Sequence, residues 1–326
     1  MEGLQTMKLL FAGTPDVAVP SLRALAADTE HFEVVAVLTR PDAPQGRGRR
    51  LMPSPVKQAA IELGIPVIES DPKQPGFVDE LRETGAQMAA VVAYGKILKQ
   101  GVLDALEHGW FNLHFSLLPQ WRGAAPVQRA IWSGDTLSGA TVFRITAGMD
   151  TGPIIAQSTV EIGMHETAGE LLERLAQDGS QLLQMALRTV VDGTALPIEQ
   201  PQGAYERAEK ITVADAHIRF EAPAFAVDRQ IRACTPEPGA WCELVSSQDA
   251  AGMTLHVLQG SIADQNEPQL PEQLPPGHLA VSKQHVWVGT LTGAYELISV
   301  KPQGKRGMKA ADWARGALLG PDARCR

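Results

Sequence analysis

The sequence predicts an α/β protein in two parts: a parallel sheet with helices on both faces, then a smaller domain of short strands. Three observations carry this. Short apolar, β-branched runs alternate with helical patterns from residue 8 to residue 191, as in successive strand–helix–strand units. A polar stretch over 192–206, holding Pro197, Pro201 and Gly203, interrupts that rhythm. Beyond it, short apolar runs recur between turn signals with few helices, which suits a small β-barrel or sandwich. A chain of 326 residues is comfortable for two cores. The predicted division is 1–192, a linker over 193–207, and 208–326.

In order, residues 8–12 form a short apolar strand that ends in Gly13-Thr14-Pro15-Asp16, and a helix follows with Asp16 as its cap. This is strand, glycine turn, helix, without the G-x-G-x-x-G of dinucleotide sites. Residues 33–39 are a buried strand. Residues 40–55 have no periodicity and hold four prolines, two glycines and four arginines, so a long loop is expected. Ser54 caps a helix that runs to about Leu63 and stops at Gly64. A strand over 65–68, a helix over 77–83, a strand over 87–93 and a short helix over 99–106 follow. Residues 110–114 are a strand, 126–133 a helix, 140–145 and 153–161 strands, and 166–191 the longest helix. In the second part the apolar runs are 240–245, 253–259, 277–281, 285–289 and 295–301, with one clear helix over 224–233.

Apolar content of 44% and charged content of 20% are ordinary for a globular protein, and no apolar run is long enough for a membrane span. The start of the chain has no basic-then-apolar leader, so a cytoplasmic protein without membrane partners is expected, and a monomer. Three cysteines (Cys234, Cys242, Cys325) are too few and too oddly spaced for a disulfide framework or a zinc site. Net charge is −8, which argues against a general polyanion binder, but two segments are locally basic. Residues 40–57 carry Arg40, Arg47, Arg49, Arg50 and Lys57 against Asp42 alone. Residues 301–326 carry seven basic residues, among them Lys305 and Arg306, against two acidic ones. Such patches can steer a nucleic acid to one face, and arginine with glycine suits phosphate contact.

The chemistry-bearing stretch is 110–155. Asn112, His114 and Ser116 alternate with Phe111, Leu113 and Phe115, so a strand end would put the polar three on one face and the apolar three on the other. In a parallel sheet the ligand site lies beyond the carboxyl ends of the strands. Gly13, Tyr94-Gly95 and 112–116 all fall at such ends. Asp150 follows His114 by 36 residues, in M-D-T-G-P-I-I. An amide, an imidazole and a carboxylate make a workable set for proton transfer near a carbonyl. Each also has a structural reading: a strand-edge amide, a hydrogen-bonded histidine, an Asx turn. There is no G-x-S-x-G elbow, no paired-histidine motif and no carboxylate cluster, so neither a serine hydrolase nor a metal enzyme is indicated.

N-L-H-F-S-L-L-P at 112–119 with D-T-G-P-I at 150–154 resembles the signature of the 10-formyltetrahydrofolate-dependent formyltransferases. F-A-G-T-P-D at 11–16, R-P-D-A-P-Q-G-R-G-R-R-L-M-P-S-P-V-K at 40–57, V-A-Y-G-K-I-L at 92–98 and W-R-G-A-A-P-V-Q at 121–128 resemble the branch that acts on methionyl-tRNA. So do A-E-K-I at 208–211 and K-P-Q-G-K-R-G-M at 301–308, and together these span about the whole chain in order. The resemblance implies a Rossmann-like catalytic domain, a linker and an OB-like domain that binds tRNA. It implies transfer of a formyl group from 10-formyltetrahydrofolate to the α-amine of methionine on initiator tRNA, without a metal. Asn112, His114 and Asp150 match the family's catalytic set, with Asp150 expected to orient His114 directly or through one water. Ser116, Leu117, Leu118 and Pro119, with Tyr94 and Gly95, match folate-contacting positions. Arg40, Arg47, Arg49 and Arg50 match the loop that approaches the acceptor end, and Lys305 and Arg306 a second tRNA contact. Phe115 stands where many members carry a glycine or another small residue, and is expected on the core side.

Other readings differ in what they leave unused. A formyltransferase for a small amine, such as glycinamide ribonucleotide or an amino sugar, would have no job for the arginine loop and the second domain. A nucleotide-dependent dehydrogenase lacks its glycine fingerprint. A non-enzymatic RNA-binding protein would not need Asn112, His114 and Asp150.

Overall fold

The computed structural model describes residues 6–326 except 46, 47, 247, 248, 318 and 321. Arg47 therefore lies outside the described residues. The chain divides into two compact units. The first comprises Met1–Pro126, Leu137–Val160 and Leu172–Arg207, and the second Val127–Thr136, Glu161–Leu171 and Ala208–Arg326.

The elements up to residue 191 are strands β1 Met7–Gly13, β2 Phe32–Leu38, β3 Ala43–Gln45, β4 Arg50–Met52, β5 Val67–Ile68, β6 Met88–Val92, β7 Gly109–His114, β8 Arg122–Gly123, β9 Leu137–Arg144 and β10 Ile154–Glu161. Between them run helices α1 Val19–Ala27, α2 Pro55–Glu62, α3 Phe77–Glu83, α4 Gln100–Leu103, α5 Pro126–Ser133 and α6 Ala168–Val191. Seven strands form one sheet in the order β10-β9-β7-β6-β1-β2-β5. The strands from β7 to β5 are parallel, as the alternation predicts. β9 returns antiparallel beside β7, and β10 pairs beyond it. β1 sits at the switch point, with β2 on one side and β6 on the other.

Both faces of this sheet are covered. Trp110 packs in a cluster with Phe77, Leu81, Val102 and Leu103 from α3 and α4. Leu113, one position out of phase with it, lies against Gly179 of α6, where a Cβ would come within 3.1 Å of its side chain. The strand is thus apolar on both sides at its start and turns polar only at its carboxyl end. Gly13 is required for close approach: a Cβ there would stand 2.9 Å from the Ala18 Cβ and the Val92 carbonyl oxygen.

Two local expectations are corrected. Asp16 does not cap α1: a 3₁₀ turn over Asp16–Ala18 intervenes, and α1 starts after Ala18 without a side-chain cap. Pro20 in its first turn leaves one N–H fewer to satisfy. Residues 40–55 are not wholly irregular: β3 and β4 pair antiparallel, Ala43 with Met52 and Gln45 with Arg50. Pro44 in β3 and exposed side chains at 43, 44 and 50–52 hid the alternation that would have announced it. Ser54 does cap α2, accepting from the Lys57 N–H at 3.0 Å, and Gly64 beyond the helix takes φ +70°.

The remaining elements are β11 Arg207–Ala208, α7 Ala224–Ala233, β12 Trp241–Ser246, β13 Asp249–Ile262, β14 Leu279–Val281, β15 Val286–Thr290, β16 Gly293–Pro302, β17 Met308–Lys309, α8 Ala310–Gly316 and β18 Arg324–Cys325. In the second unit the strands run β14-β15-β16-β13-β12-β18, and a bridge from His278 to Arg324 carries β18 back to the β14 edge. The result is a nearly closed antiparallel, barrel-like sheet with Val257, Leu297, Val300 and Cys242 buried inside. α7 packs against it, and its Asp228 takes a 2.7 Å ion pair from Arg232 and a hydrogen bond from the Tyr295 hydroxyl.

Candidate active site

The sheet register sets three strand ends side by side. Ala12 pairs with Val91 and Val91 with Asn112, so the turns after β1, β6 and β7 leave the sheet at one level. The Thr14 hydroxyl ties two of these turns by donating to the Tyr94 carbonyl at 3.1 Å. Asn112 is half-buried and His114 is 6% exposed. Phe115 is buried, as are His114 and Ser116 on either side of it.

His114 has a partner that the sequence did not name. Its Nε2 lies 2.9 Å from the Trp121 carbonyl oxygen, while its Nδ1 stands 4.0 Å from Asp150 Oδ2. A carbonyl only accepts, so Nε2 carries the proton and Nδ1 of the neutral ring presents a lone pair. The Trp121 carbonyl therefore orients the imidazole through Nε2, and Nδ1 is left facing Asp150. Burial pushes the His114 pKa down, against the opposing pull of the Asp150 carboxylate, and keeps the ring neutral. Two acceptors then face each other at a distance too long for a direct hydrogen bond.

Asp150 is fixed independently. Its Oδ2 accepts from the Gly123 N–H at 2.9 Å. Its backbone sits at φ +52°, and Trp121 and Ala93 at φ +61° and +48°. Left-handed backbone at three non-glycine residues around these strand ends costs roughly 1–3 kcal/mol each, and clusters of this kind occur at functional sites. Gly152 is obligatory in the Asp150 turn, because a Cβ would fall 1.7 Å from the Arg144 carbonyl oxygen.

The second half of the signature is a buttressed turn. The Ser116 side chain is buried and donates to the Gln120 carbonyl at 2.7 Å. Thr141 donates to the Ser116 carbonyl and accepts from the Leu118 N–H, and Gln157 donates to the Leu118 carbonyl. Leu118 is buried, its bond to Pro119 is cis, and Leu117 and Pro119 remain half-exposed. Tyr94 is 2% exposed, and its hydroxyl finds no hydrogen-bond partner among the described residues. Gly95 follows in the turn, exposed, at φ +79°.

Of the basic residues, Arg40 reaches the turn after β6: a Cβ on Gly95 would stand 3.8 Å from its Nη1. Arg40, Arg49 and Arg50 are exposed, on or beside the β3–β4 hairpin. Lys305 and Arg306 are exposed in the second unit, in the turn between β16 and β17.

Several residues around Asp150 were missed by sequence reasoning. Gln200, in the polar stretch read as linker, is 7% exposed and fully engaged. Its Nε2 donates to the Asp150 carbonyl at 2.9 Å and the Gly152 carbonyl at 2.8 Å, and its Oε1 accepts from Arg122 Nε at 3.0 Å. A cleft of about 470 Å³ opens beside this network, lined by Arg122, Met149, Thr151, Tyr205, Glu206 and Arg207 among others. Among the described residues no group of three or more His, Cys, Asp or Glu side chains could hold a metal ion, and no helix is long and apolar enough to cross a membrane.

A parallel sheet with this strand-end set, joined to a barrel-like unit, is the architecture of the formyl transferases: residues 7–187 match the family described as formyl transferase, and residues 210–318 match the formyl transferase C-terminal domain. The methionyl-tRNA formyltransferase of Bifidobacterium adolescentis is 69% identical over 96% of this chain and 98% of its own length. That of Mycobacterium avium is 48% identical over 98% and 99%. The chain belongs to the methionyl-tRNA formyltransferase family of formyl transferases. The fold recurs at low identity in a sugar 3N-formyl transferase, WlaRD (TM-score 0.61, 17% identity, 93% of this chain and 100% of that one). It recurs also in HypX from Aquifex aeolicus (TM-score 0.66, 16% identity, 97% of this chain and 48% of that one).

Proposed function

We propose that this protein transfers a formyl group from 10-formyltetrahydrofolate to the α-amine of methionine on initiator tRNA, as a monomer in the cytoplasm. The observation that carries the reading is the pair of acceptors, His114 Nδ1 and Asp150 Oδ2, set 4.0 Å apart within a chain of this family. Two fixed acceptors facing one another are stable when an N–H or O–H stands between them. An attacking amine supplies that hydrogen and must lose it. A neutral Nδ1 next to a carboxylate is a good place to receive it, and one bridging water would serve the same geometry. Asn112 has an amide N–H to offer the formyl oxygen as negative charge gathers there, a contribution worth roughly 100- to 1000-fold in rate.

The folate-side residues fit a flat heteroaromatic donor. Leu117 and Pro119 offer a half-exposed apolar wall, and the Tyr94 hydroxyl is a buried polar group still in want of a partner. Folate supplies the activated formyl carbon; the chain supplies position, a hydrogen bond to oxygen and a proton acceptor. Arg40, Arg49, Arg50, Lys305 and Arg306, with Arg47, contribute phosphate contacts. The proposed division of labour is catalysis in 1–192, a connecting segment over 193–207 and tRNA affinity in 208–326. Formylation of methionyl initiator tRNA, with elongator tRNA as control, tests the reading. Failure to formylate the initiator while a free amine or amino sugar is formylated would overturn it.

A further inference from the structure

We infer that the cleft beside Asp150 seats the terminal nucleotide of the RNA acceptor, with Tyr205 as stacking platform and Arg122 as the cation held over it. The inference rests on the proposed function and adds a subsite to it. None of the residues assigned to folate or to catalysis lines this cleft, yet Met149 and Thr151 on its wall flank Asp150 directly. A group bound there lies against the residues on either side of Asp150 in sequence.

The lining suits a nucleotide. The Arg122 guanidinium carbon lies 5.8 Å from the centre of the Tyr205 ring, within cation–π range. Gln200 takes Arg122 Nε and Nη2 through one oxygen, which fixes the guanidinium before any ligand arrives. Arg207 adds a second cation at the rim, and Glu206 a carboxylate. Aromatic platforms with arginine bind single-stranded nucleotides by stacking, because every base has a π-face. The volume, about 470 Å³, is of the size that takes one small ligand. The same Gln200 that fixes Arg122 also holds the Asp150 and Gly152 carbonyls, so occupancy of the cleft and position of the carboxylate share one side chain.

Steady-state formylation by wild type, Tyr205→Ala and Tyr205→Phe tests the assignment. Loss of a stacking platform is expected to raise KM for methionyl-tRNA about 5- to 100-fold. KM for 10-formyltetrahydrofolate should be unchanged, kcat should fall far less than KM rises, and Tyr205→Phe should restore the wild-type value. Titration with adenosine 5′-monophosphate reads the cleft without any formyl transfer: wild type should bind it, and Tyr205→Ala should bind it more weakly by a similar factor. An unchanged KM for methionyl-tRNA in Tyr205→Ala, or a rise in the folate KM instead, overturns the inference. Failure of wild type to formylate methionyl-tRNA while binding the nucleotide would strike the proposed function and leave the cleft standing.

Discussion

The end of β7 and the arginine segment after β2 leave the same sheet at carboxyl ends, yet they are built in opposite ways. At the β7 end the groups proposed for catalysis are buried or half-buried, and His114 and Asp150 each have a fixed partner: His114 on the Trp121 carbonyl, Asp150 on the Gly123 N–H. In the arginine segment the side-chain hydrogen bonds of the described residues gather at the base. Thr39 and Ser54 share a buried 2.7 Å hydrogen bond, and Lys57 ties Asp42 and Glu69, while Arg49 and Arg50 project exposed from the β3–β4 hairpin. Chemistry on a carbonyl needs donors and acceptors placed to within a fraction of an ångström in a water-poor setting. Gripping a polyanion needs charge and reach, and is better served by side chains left in solvent.

The contrast is broken most severely at the buried end. Asp150→Asn keeps the volume and tolerates φ +52°, since asparagine enters the left-handed region readily. It removes the negative charge and puts a donor or a neutral acceptor opposite His114. Turnover should fall by roughly 100- to 10,000-fold, with the KM for methionyl-tRNA little altered. His114→Ala should do the same; a kcat close to that of wild type would remove both residues from the chemistry. At the exposed end, Arg49→Gln with Arg50→Gln should weaken tRNA binding and leave kcat at saturation nearly intact. The salt dependence should flatten by roughly 0.7–0.9 in the slope of log K against log salt for each phosphate no longer neutralised. An unchanged slope would make the hairpin a surface excursion.

How far each region was legible in the sequence follows from the same contrast. The β7 strand and helices α3 and α5 could be read nearly to the residue, because their apolar spacing is regular and their ends are marked by proline, glycine or charge. Period two reached only Asn112 and His114, because β7 ends at His114 and Ser116 lies in the bend beyond it. The partner that orients His114 was not legible, because it is a backbone carbonyl, and a carbonyl has no letter of its own. It reaches the ring because Trp121 takes a left-handed conformation that nothing in W-R-G-A-A-P announces. Gln200 was hidden for a related reason. It sits in a polar, proline-containing stretch whose composition says linker, and its importance lies in which carbonyls it meets. The β3–β4 hairpin escaped because its described side chains, at 43, 44 and 50–52, face solvent, so no hydrophobic alternation was written into them.

The buried end should also be the more pH-sensitive of the two. Burial lowers the His114 pKa in the folded protein, whereas in the unfolded chain the ring titrates near its ordinary value of about 6.5. The unfolded state therefore binds the proton first as the pH falls. The stabilising share of a neutral His114 is complete above about pH 6.5 and drains away below it, with a slope of at most about 1.4 kcal/mol per pH unit. His256 is also lowered, by burial and by Lys301, and contributes a slope of the same sign from the second unit. Denaturant unfolding at about pH 7.5 and about pH 5.5, either side of the ordinary histidine value, should accordingly cost wild type more stability than His114→Asn, with the His256 share common to both. Equal losses in the two proteins would mean that His114 is charged, or well hydrated, in the native state.

The smallest effect tests whether the base of the arginine segment is as rigid as the site beside it. Ser54 serves two neighbours at once: its oxygen accepts from the Lys57 N–H at the start of α2 and shares a hydrogen with Thr39, which is fully buried. Ser54→Ala uncaps the helix and leaves the Thr39 hydroxyl without that partner, at a cost of about 1–2 kcal/mol. That corresponds to a fall in Tm of a few degrees for a unit of this size, and Ser54→Thr should recover most of it. Because the arginines project beyond the pinned base, the salt dependence of tRNA binding should stay at its wild-type slope in Ser54→Ala. A stability loss with a flattened slope would mean that the hairpin depends on its base to present charge. The exposed region would then share the preorganisation that otherwise distinguishes the end of β7.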